Sequence, residues 1–189
     1  MIPRVAAFCL GLVLLAGCQR NDLKEPPAEL GDFALGLNIV VADNMQKVPI
    51  SRGATVEEWE AAVSRAIDAR FGRYQGARLY NIGISVDGYA LAPPGIPVLA
   101  APKSVVAITA NIWDDAAQKK LNPEGEKMTV FESLSGASIV GTGFTSSREE
   151  QMEALAYNVA KRVETWLLDN PEWFGLPPKP KVVPETESK

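Results

Sequence analysis

LYNIGISV (residues 79–86) and SVVAITANIW (residues 104–113) alternate apolar side chains with small or polar ones. A period of two residues is typical of a β-strand that buries one of its faces. The segment FALGLNIVV (residues 33–41) has the same period. The residues predicted to face the core are Phe33, Leu35, Leu37, Ile39 and Val41 in the earliest segment, Tyr80, Ile82, Ile84 and Val86 in the next, and Val106, Ile108, Ala110 and Ile112 in the last.

Two further segments have the spacing of amphipathic helices. Thr55 and Glu58 have the pattern of a capping box at the start of the first helix, and Gly72 is expected to end it. Ser147 is expected to cap the second helix, which Pro171 ends. Apolar residues recur every three or four positions, so each helix has one face to bury. These residues are Val56, Trp59, Val63, Ile67 and Phe71 in the first helix, and Met152, Leu155, Ala156, Val159, Val163, Trp166 and Leu167 in the second.

The remaining strands complete a two-layer fold. Residues 128–133 and 137–144 are predicted to form a hairpin that turns near Ser135 and Gly136. The order of elements is then strand, helix, four strands, helix, and strands joined by short links are most simply antiparallel. We predict an α/β (α+β) two-layer sandwich, in which a mostly antiparallel sheet of about four to five strands has both helices on one face. One domain is expected over residues 33–176.

The amino-terminal residues 1–17 have the composition of an export signal. The start is positively charged at Arg4, and Val5 to Gly17 contains no charged side chain. This run is shorter than the roughly 20 residues that a membrane-spanning helix needs, but it fits the apolar region of a secretory signal. Leu15-Ala16-Gly17-Cys18 resembles the cleavage motif of bacterial lipoproteins, in which an aliphatic and two small residues precede a cysteine. An ordinary secreted protein with an incidental cysteine is the alternative.

The lipoprotein resemblance implies a particular membrane anchor and location. Cys18 would become the first mature residue and carry a diacylglycerol thioether, with a further acyl group such as palmitate on its amine. Two or more acyl chains hold a protein stably on a membrane, whereas one binds marginally. Gln19 occupies the position at which an aspartate retains such lipoproteins at the inner membrane. The protein is therefore expected at the outer membrane, facing the periplasm, and without a free thiol, because Cys9 is lost with the signal.

Polar segments that contain proline flank the predicted domain. Residues 18–32 include Pro26 and Pro27 and are predicted to form a flexible tether that lifts the domain off the membrane. Residues 177–189 are charged and rich in proline, and are predicted to be a disordered tail. A docking peptide of polyproline type is the alternative for the tail.

Composition and motifs exclude several classes of function. The chain has no histidine, which removes the hydrolase triads and the helical zinc pair of metalloproteases. The net charge of −4, without a basic cluster, argues against a nucleic acid partner. Gly141-Thr142-Gly143 lacks the rest of a phosphate-binding motif, and Asp114-Asp115 with Glu124 and Glu126 is better explained as a solvated turn than as a cation site. We predict no catalytic residue, no cofactor and no metal.

The connection Gly88–Pro102, GYALAPPGIPVLAAP, is unusual because it has no charge and four prolines. Loops are usually polar, since they run over the surface. This one is predicted either to fold back over the open sheet face or a sheet edge, or to contact a partner or a lipid. The candidate contact residues are Leu91, Ile96, Val98 and Leu99.

The order of elements behind the cleavage motif resembles that of a broad group of small envelope lipoproteins. The group includes the lipopolysaccharide-assembly lipoprotein, the auxiliary lipoproteins of certain lipid transporters, and the lipoprotein activators of cell-wall synthases. The resemblance covers residues 33–170 by element order alone and implies a non-catalytic accessory role. We therefore predict a structural or adaptor protein, anchored in the membrane through Cys18, that binds another envelope protein. A module that binds a lipid or other small apolar ligand is the alternative, and a hydrolase is the least favoured.

Overall fold

A computed structural model describes residues 22–93, 104–132 and 147–179. Within these ranges the chain forms one sheet of six strands, two α-helices and two 3-10 turns. None of the helices in these ranges is long and apolar enough to cross a bilayer. The strands are β1 (Phe33–Val41), β2 (Gln46–Lys47), β3 (Arg78–Ala90), β4 (Val105–Asp114), β5 (Lys119–Lys120) and β6 (Glu126–Phe131); the helices are α1 (Val56–Phe71) and α2 (Arg148–Leu168); the 3-10 turns are Asp22–Lys24 and Pro171–Phe174.

The predicted two-layer α/β sandwich with a mostly antiparallel sheet is confirmed. β4 pairs antiparallel with β3, β5 and β6. β1 pairs with β3 in parallel, because the α1 crossover returns the chain to the end of the sheet at which β1 began. The two-residue strands β2 and β5 lie beside β3 and β4, and bring the strands in the described ranges to six. The first strand of the predicted hairpin is β6, and its second, residues 137–144, lies outside the described residues.

The periodicities predicted for β3, β4 and both helices are confirmed by burial. Every residue predicted to face the core in β3 and β4 is buried, and so is each apolar position of α1 except Val56, which is half-buried. Both capping boxes form as well. Thr55 Oγ1 accepts from the Glu58 amide at 3.2 Å, and Ser147 Oγ accepts from the Glu150 amide at 3.0 Å.

The helices α1 and α2 lie side by side and run in the same direction. At their starts, Arg148 Nη2 lies 2.5 Å from Glu58 Oε1. Towards their ends, Arg70 Nη1 of α1 lies 2.6 Å from Glu164 Oε2 of α2. The two helices therefore cover the sheet as one layer, with ion pairs between them at both ends.

An aromatic cluster closes one end of the core. The Phe33 ring stacks on Tyr80 with ring centroids 5.4 Å apart, and it meets Phe174 edge-on at 5.5 Å. Phe71 and Tyr74 contact the same ring at 5.9 and 5.5 Å. Phe33 thus joins β1 to α1, to β3 and to the turn that follows α2.

The core face predicted for β1 is wrong after Leu35. The pairing register of β1 with β3 shifts between Leu35 and Asn38. Side chains beyond that β-bulge change faces, because one extra residue reverses the alternation of a strand. Leu37, Ile39 and Val41 therefore point away from the helices and are 60%, 53% and 43% exposed.

Hydrogen bonds to neighbouring elements account for the bulge. The Asn81 side chain of β3 accepts from the Leu37 amide at 2.7 Å, and a Cβ at Gly36 would lie 2.4 Å from the same oxygen. Beyond the bulge, Asn38 takes the helix-facing position and donates to the Ser64 carbonyl of α1 at 2.9 Å. Gly36, Asn38 and Asn81 thus determine which side chains of β1 face the helices.

The segment predicted to be a flexible tether packs on the domain from Asp22 onward. Leu30 is only 2% exposed and belongs to the core. The Asp32 amide donates to the Phe174 carbonyl at 3.1 Å. Gly31 has a φ of 65°, and a side chain there would meet the same carbonyl. The folded unit therefore includes the residues from Asp22 onward, about ten residues before the predicted boundary at Phe33, because buried contacts offset the entropy of ordering the segment.

Candidate functional site

The loop residue Leu91, predicted to contact a partner, is buried. Its exposed fraction is 0%, and its amide donates to Ser51 Oγ at 2.8 Å. Gly88–Ala90 continue β3, so the connection begins later than predicted. The prediction for Leu91 is wrong, because an apolar residue at a strand end extends the core. Ile96, Val98 and Leu99 lie outside the described residues, as does Cys18.

The two aspartates at the end of β4 form hydrogen bonds within the domain. Asp114 pairs with Arg78 and accepts from the Ala117 amide at 3.0 Å. Asp115 accepts from the Asn81 side chain at 2.9 Å. Among the residues that the structure describes, no three His, Cys, Asp or Glu side chains lie close enough together to hold a metal ion.

A groove of about 320 Å³ separates the first turns of α1 and α2. The Arg148 guanidinium spans it and pairs with Glu58 and with Glu149, whose Oε1 lies 2.7 Å from Nη2. Ala61, Ala62 and Met152 supply the apolar side chains of its lining. The groove is open and six of its nine lining residues are charged, whereas sites for apolar ligands are mostly enclosed and lined by apolar residues. It therefore does not favour the alternative of an apolar ligand site.

An apolar strip lies on the sheet face that the helices leave open. It consists of Leu37, Ile39 and Val41, and it exists because the bulge turns these residues outward. Within the described part of the chain, β1 is the last strand on its side of the sheet. The strip is therefore accessible both from the open face and from the edge.

A groove of about 330 Å³ runs beside this strip. Leu37 and Ile39 form one wall, and Trp113 of β4 forms part of the other. The ammonium group of Lys120 lies over the Trp113 ring, 5.6 Å from its centroid. Sequence reasoning assigned Leu37 and Ile39 to the core, and the only signal that could have corrected it was Gly36 within the strand.

A cluster of charged and phenolic side chains binds the start of the described chain to the helical layer. Arg70 is 1% exposed and donates to Glu164 at 2.6 Å and to Asp22 at 2.7 Å. Lys161 Nζ lies 2.8 Å from the second oxygen of Asp22. We call this set the Asp22 cluster; it comprises Asp22, Arg70, Tyr74, Tyr157, Lys161 and Glu164.

The electrostatics of the Asp22 cluster favour its ionised form. Burial alone would raise the pKa of the Asp22 carboxyl. Hydrogen bonds from Arg70, Lys161 and Tyr157 outweigh that effect and hold the pKa well below its ordinary value. Two cations thus face two carboxylates, which is the pairing that buried charges require.

Comparisons with known proteins find several similar solved structures. No family model and no curated protein matches it. A Xanthomonas campestris protein of family DUF330 has a TM-score of 0.41 and 14% identity, over 79% of this chain and 93% of that one. A candidate lipoprotein from Caulobacter crescentus CB15 has a TM-score of 0.38 and 11% identity, over 70% and 91%. PelC from Paraburkholderia phytofirmans, a dodecamer, has a TM-score of 0.38 and 13% identity, over 71% and 89%.

Proposed function

We propose that the chain is a lipid-anchored accessory protein of the cell envelope, which performs no catalysis and binds another envelope protein through the apolar strip of β1. The observation that carries this proposal is the strip itself, three neighbouring apolar side chains exposed on a strand at the sheet edge. Contiguous exposed apolar surface often marks a site of protein contact. The motif Leu15-Ala16-Gly17-Cys18 supplies the membrane anchor.

The edge of β1 also suits pairing with a strand from a partner. Its nine residues, FALGLNIVV, include no charged residue and no proline. Charges and prolines are common devices that protect a sheet edge from unwanted pairing. An extended partner segment could add to the sheet through backbone hydrogen bonds while its apolar side chains pack on the strip. The partner we propose is an envelope protein with such a segment.

Ile39→Lys is expected to abolish binding of this partner, because the ammonium group would have to be desolvated in an apolar contact. The measurement is affinity capture from detergent-solubilised membranes, with the recovered proteins quantified by mass spectrometry. Proteins that bind through the strip should be recovered with the natural chain and lost with the variant.

Phe131→Lys is the matched control for this experiment. Phe131 is an exposed apolar residue of β6, which lies on the other side of β4 from the strip. Recovery of the same proteins with the natural chain and with both variants would contradict the proposed binding surface. Sedimentation of the purified proteins separates partner binding from self-association, since only the latter changes the mass of the isolated chain.

Cys18→Ala is expected to move the protein from the membrane to the soluble fraction, because the only proposed attachment site for lipid is removed. In the natural protein, mass spectrometry should find an amino-terminal peptide that begins at Cys18 and carries acyl chains. Cys9→Ala is the control and should leave anchoring unchanged, since Cys9 lies within the segment that is cleaved off. A bare thiol at Cys18, or processing at another residue, would overturn the anchor. Separation of inner from outer membranes tests the outer-membrane location proposed from Gln19.

A further inference from the structure

The proposed attachment point lies very close in sequence to the folded domain. Only Gln19, Arg20 and Asn21 separate Cys18 from Asp22, the first described residue. A fully extended chain covers at most about 3.6 Å per residue, so the Cα atoms of Cys18 and Asp22 are within about 15 Å of each other. A tether that ended at Asp32 would have allowed several times that reach.

The segment that begins at Asp22 is attached to the helical layer at several points. Asp22 is bound by side chains of both helices, Arg70 of α1 and Lys161 of α2. Arg73, in the turn that follows α1, then donates to the carbonyls of Leu23 at 3.2 Å and Glu25 at 2.9 Å. The contacts are spread over both helices, so the segment has one position on the domain and does not act as a spacer.

We infer that the Asp22 cluster holds the helical layer of the domain against the bilayer surface, so that the open sheet face and its apolar strip point away from the membrane. This inference rests on the proposed lipid anchor at Cys18 and adds an orientation to it. The partner of the helical face is the headgroup layer of the membrane to which the acyl chains are attached. Lys24 follows Asp22 closely and is exposed, and its ammonium group suits contact with lipid phosphates.

The orientation has a consequence for the proposed binding surface. Asp22 contacts the helices, whereas Leu37, Ile39 and Val41 lie on the face of the sheet that is turned away from them. The domain would therefore present the strip to the periplasm while its anchor remains short. A partner could then reach the strip without displacing the domain from the bilayer.

Energy transfer to headgroup-labelled lipid tests this arrangement. The acylated protein is reconstituted in phosphatidylethanolamine–phosphatidylglycerol vesicles with a fluorophore attached through Thr165→Cys or through Thr129→Cys. Both threonines are exposed and far from Cys18 in sequence; Thr165 lies on α2, one turn from Lys161, and Thr129 lies on β6. Transfer is expected to be stronger at Thr165 than at Thr129. Equal transfer at the two positions would overturn the inference.

Two changes to the natural sequence, with one control substitution, determine whether the Asp22 cluster sets the orientation of the domain. Asp22→Ala should remove the difference between the two positions, whereas Asp169→Ala, at an exposed carboxylate paired with Lys179, should preserve it. A ten-residue Gly-Ser insertion after Arg20 leaves the cluster intact but adds a span of roughly 18 Å, and should weaken transfer at Thr165. A difference that survives Asp22→Ala and the insertion would contradict the role of the cluster. Mass spectrometry of the same samples confirms acylation, so a missing anchor is distinguished from a wrong orientation.

Discussion

Replacing Phe33 with alanine is expected to lower the free energy of unfolding by about 3–5 kcal/mol, the range for removal of a large aromatic side chain from a core. Phe33 is fully buried and contacts four aromatic rings, from α1, from its neighbouring turn, from β3 and from the turn after α2. Those rings cannot all move into the vacated volume, since each belongs to a different part of the fold. Urea denaturation with a common slope for both proteins measures the change.

Leu37→Ala is the matched control for Phe33→Ala. Leu37 lies in the same strand as Phe33, and the sequence alternation predicts that both residues face the core. The structure exposes Leu37 at 60% of its surface, so its truncation should cost within about 0.5 kcal/mol. Similar losses for Phe33→Ala and Leu37→Ala would mean that both side chains face the core. Such a result would contradict the β-bulge and, with it, the apolar strip.

Arg70→Met is expected to destabilise the domain by about 3–5 kcal/mol, because it leaves a buried carboxylate without its principal counter-charge. Glu164 is 11% exposed at its side chain, and its closest remaining cation, Arg73, lies 3.7 Å away. The same variant removes one of the two cations that bind Asp22. Denaturant unfolding measures the loss, and Arg148→Met, at a more exposed ion pair, should cost much less, because solvent screens that pair.

The double variant Arg70→Met, Glu164→Leu should recover part of that stability, because Asp22 and the Tyr74 hydroxyl still lose Arg70 and Glu164 as partners. A buried ion pair replaced by apolar residues of similar volume is often close to neutral, because the desolvation cost of both charges disappears. The coupling between the two substitutions is obtained from a double-mutant cycle. Additive losses would show that Arg70 and Glu164 stabilise the fold independently, which their 2.6 Å contact does not predict.

Local sequence patterns were sufficient to predict the helices and the central strands. The sequence alternation in β3 and β4 matches the observed burial because both strands lie inside the sheet, where one face packs against the helices. Thr55 and Ser147 were recognisable as caps because a capping box needs only residues three positions apart. The two-layer arrangement follows from these elements, since each has one apolar face.

The parts that sequence reasoning missed depend on contacts between distant residues. The reversal of β1 requires the Asn81 side chain, which is 44 positions from Leu37. The docking of Asp22 requires Arg70, 48 positions away, and no local pattern distinguishes that aspartate from others in a polar segment. The candidate functional surfaces, the apolar strip and the Asp22 cluster, therefore could not be located before the fold was known.

The shared direction of α1 and α2 has an electrostatic consequence at the end of the domain where both helices begin. The aligned peptide dipoles of a helix place about half an elementary positive charge at its amino terminus. Two such termini lie next to each other here, as the contact of Arg148 with Glu58 shows, and they repel. The first turns of the two helices carry four carboxylates, which offset this repulsion: Glu57, Glu58, Glu149 and Glu150. These acidic turns compensate a repulsion that a pair of antiparallel helices would not experience.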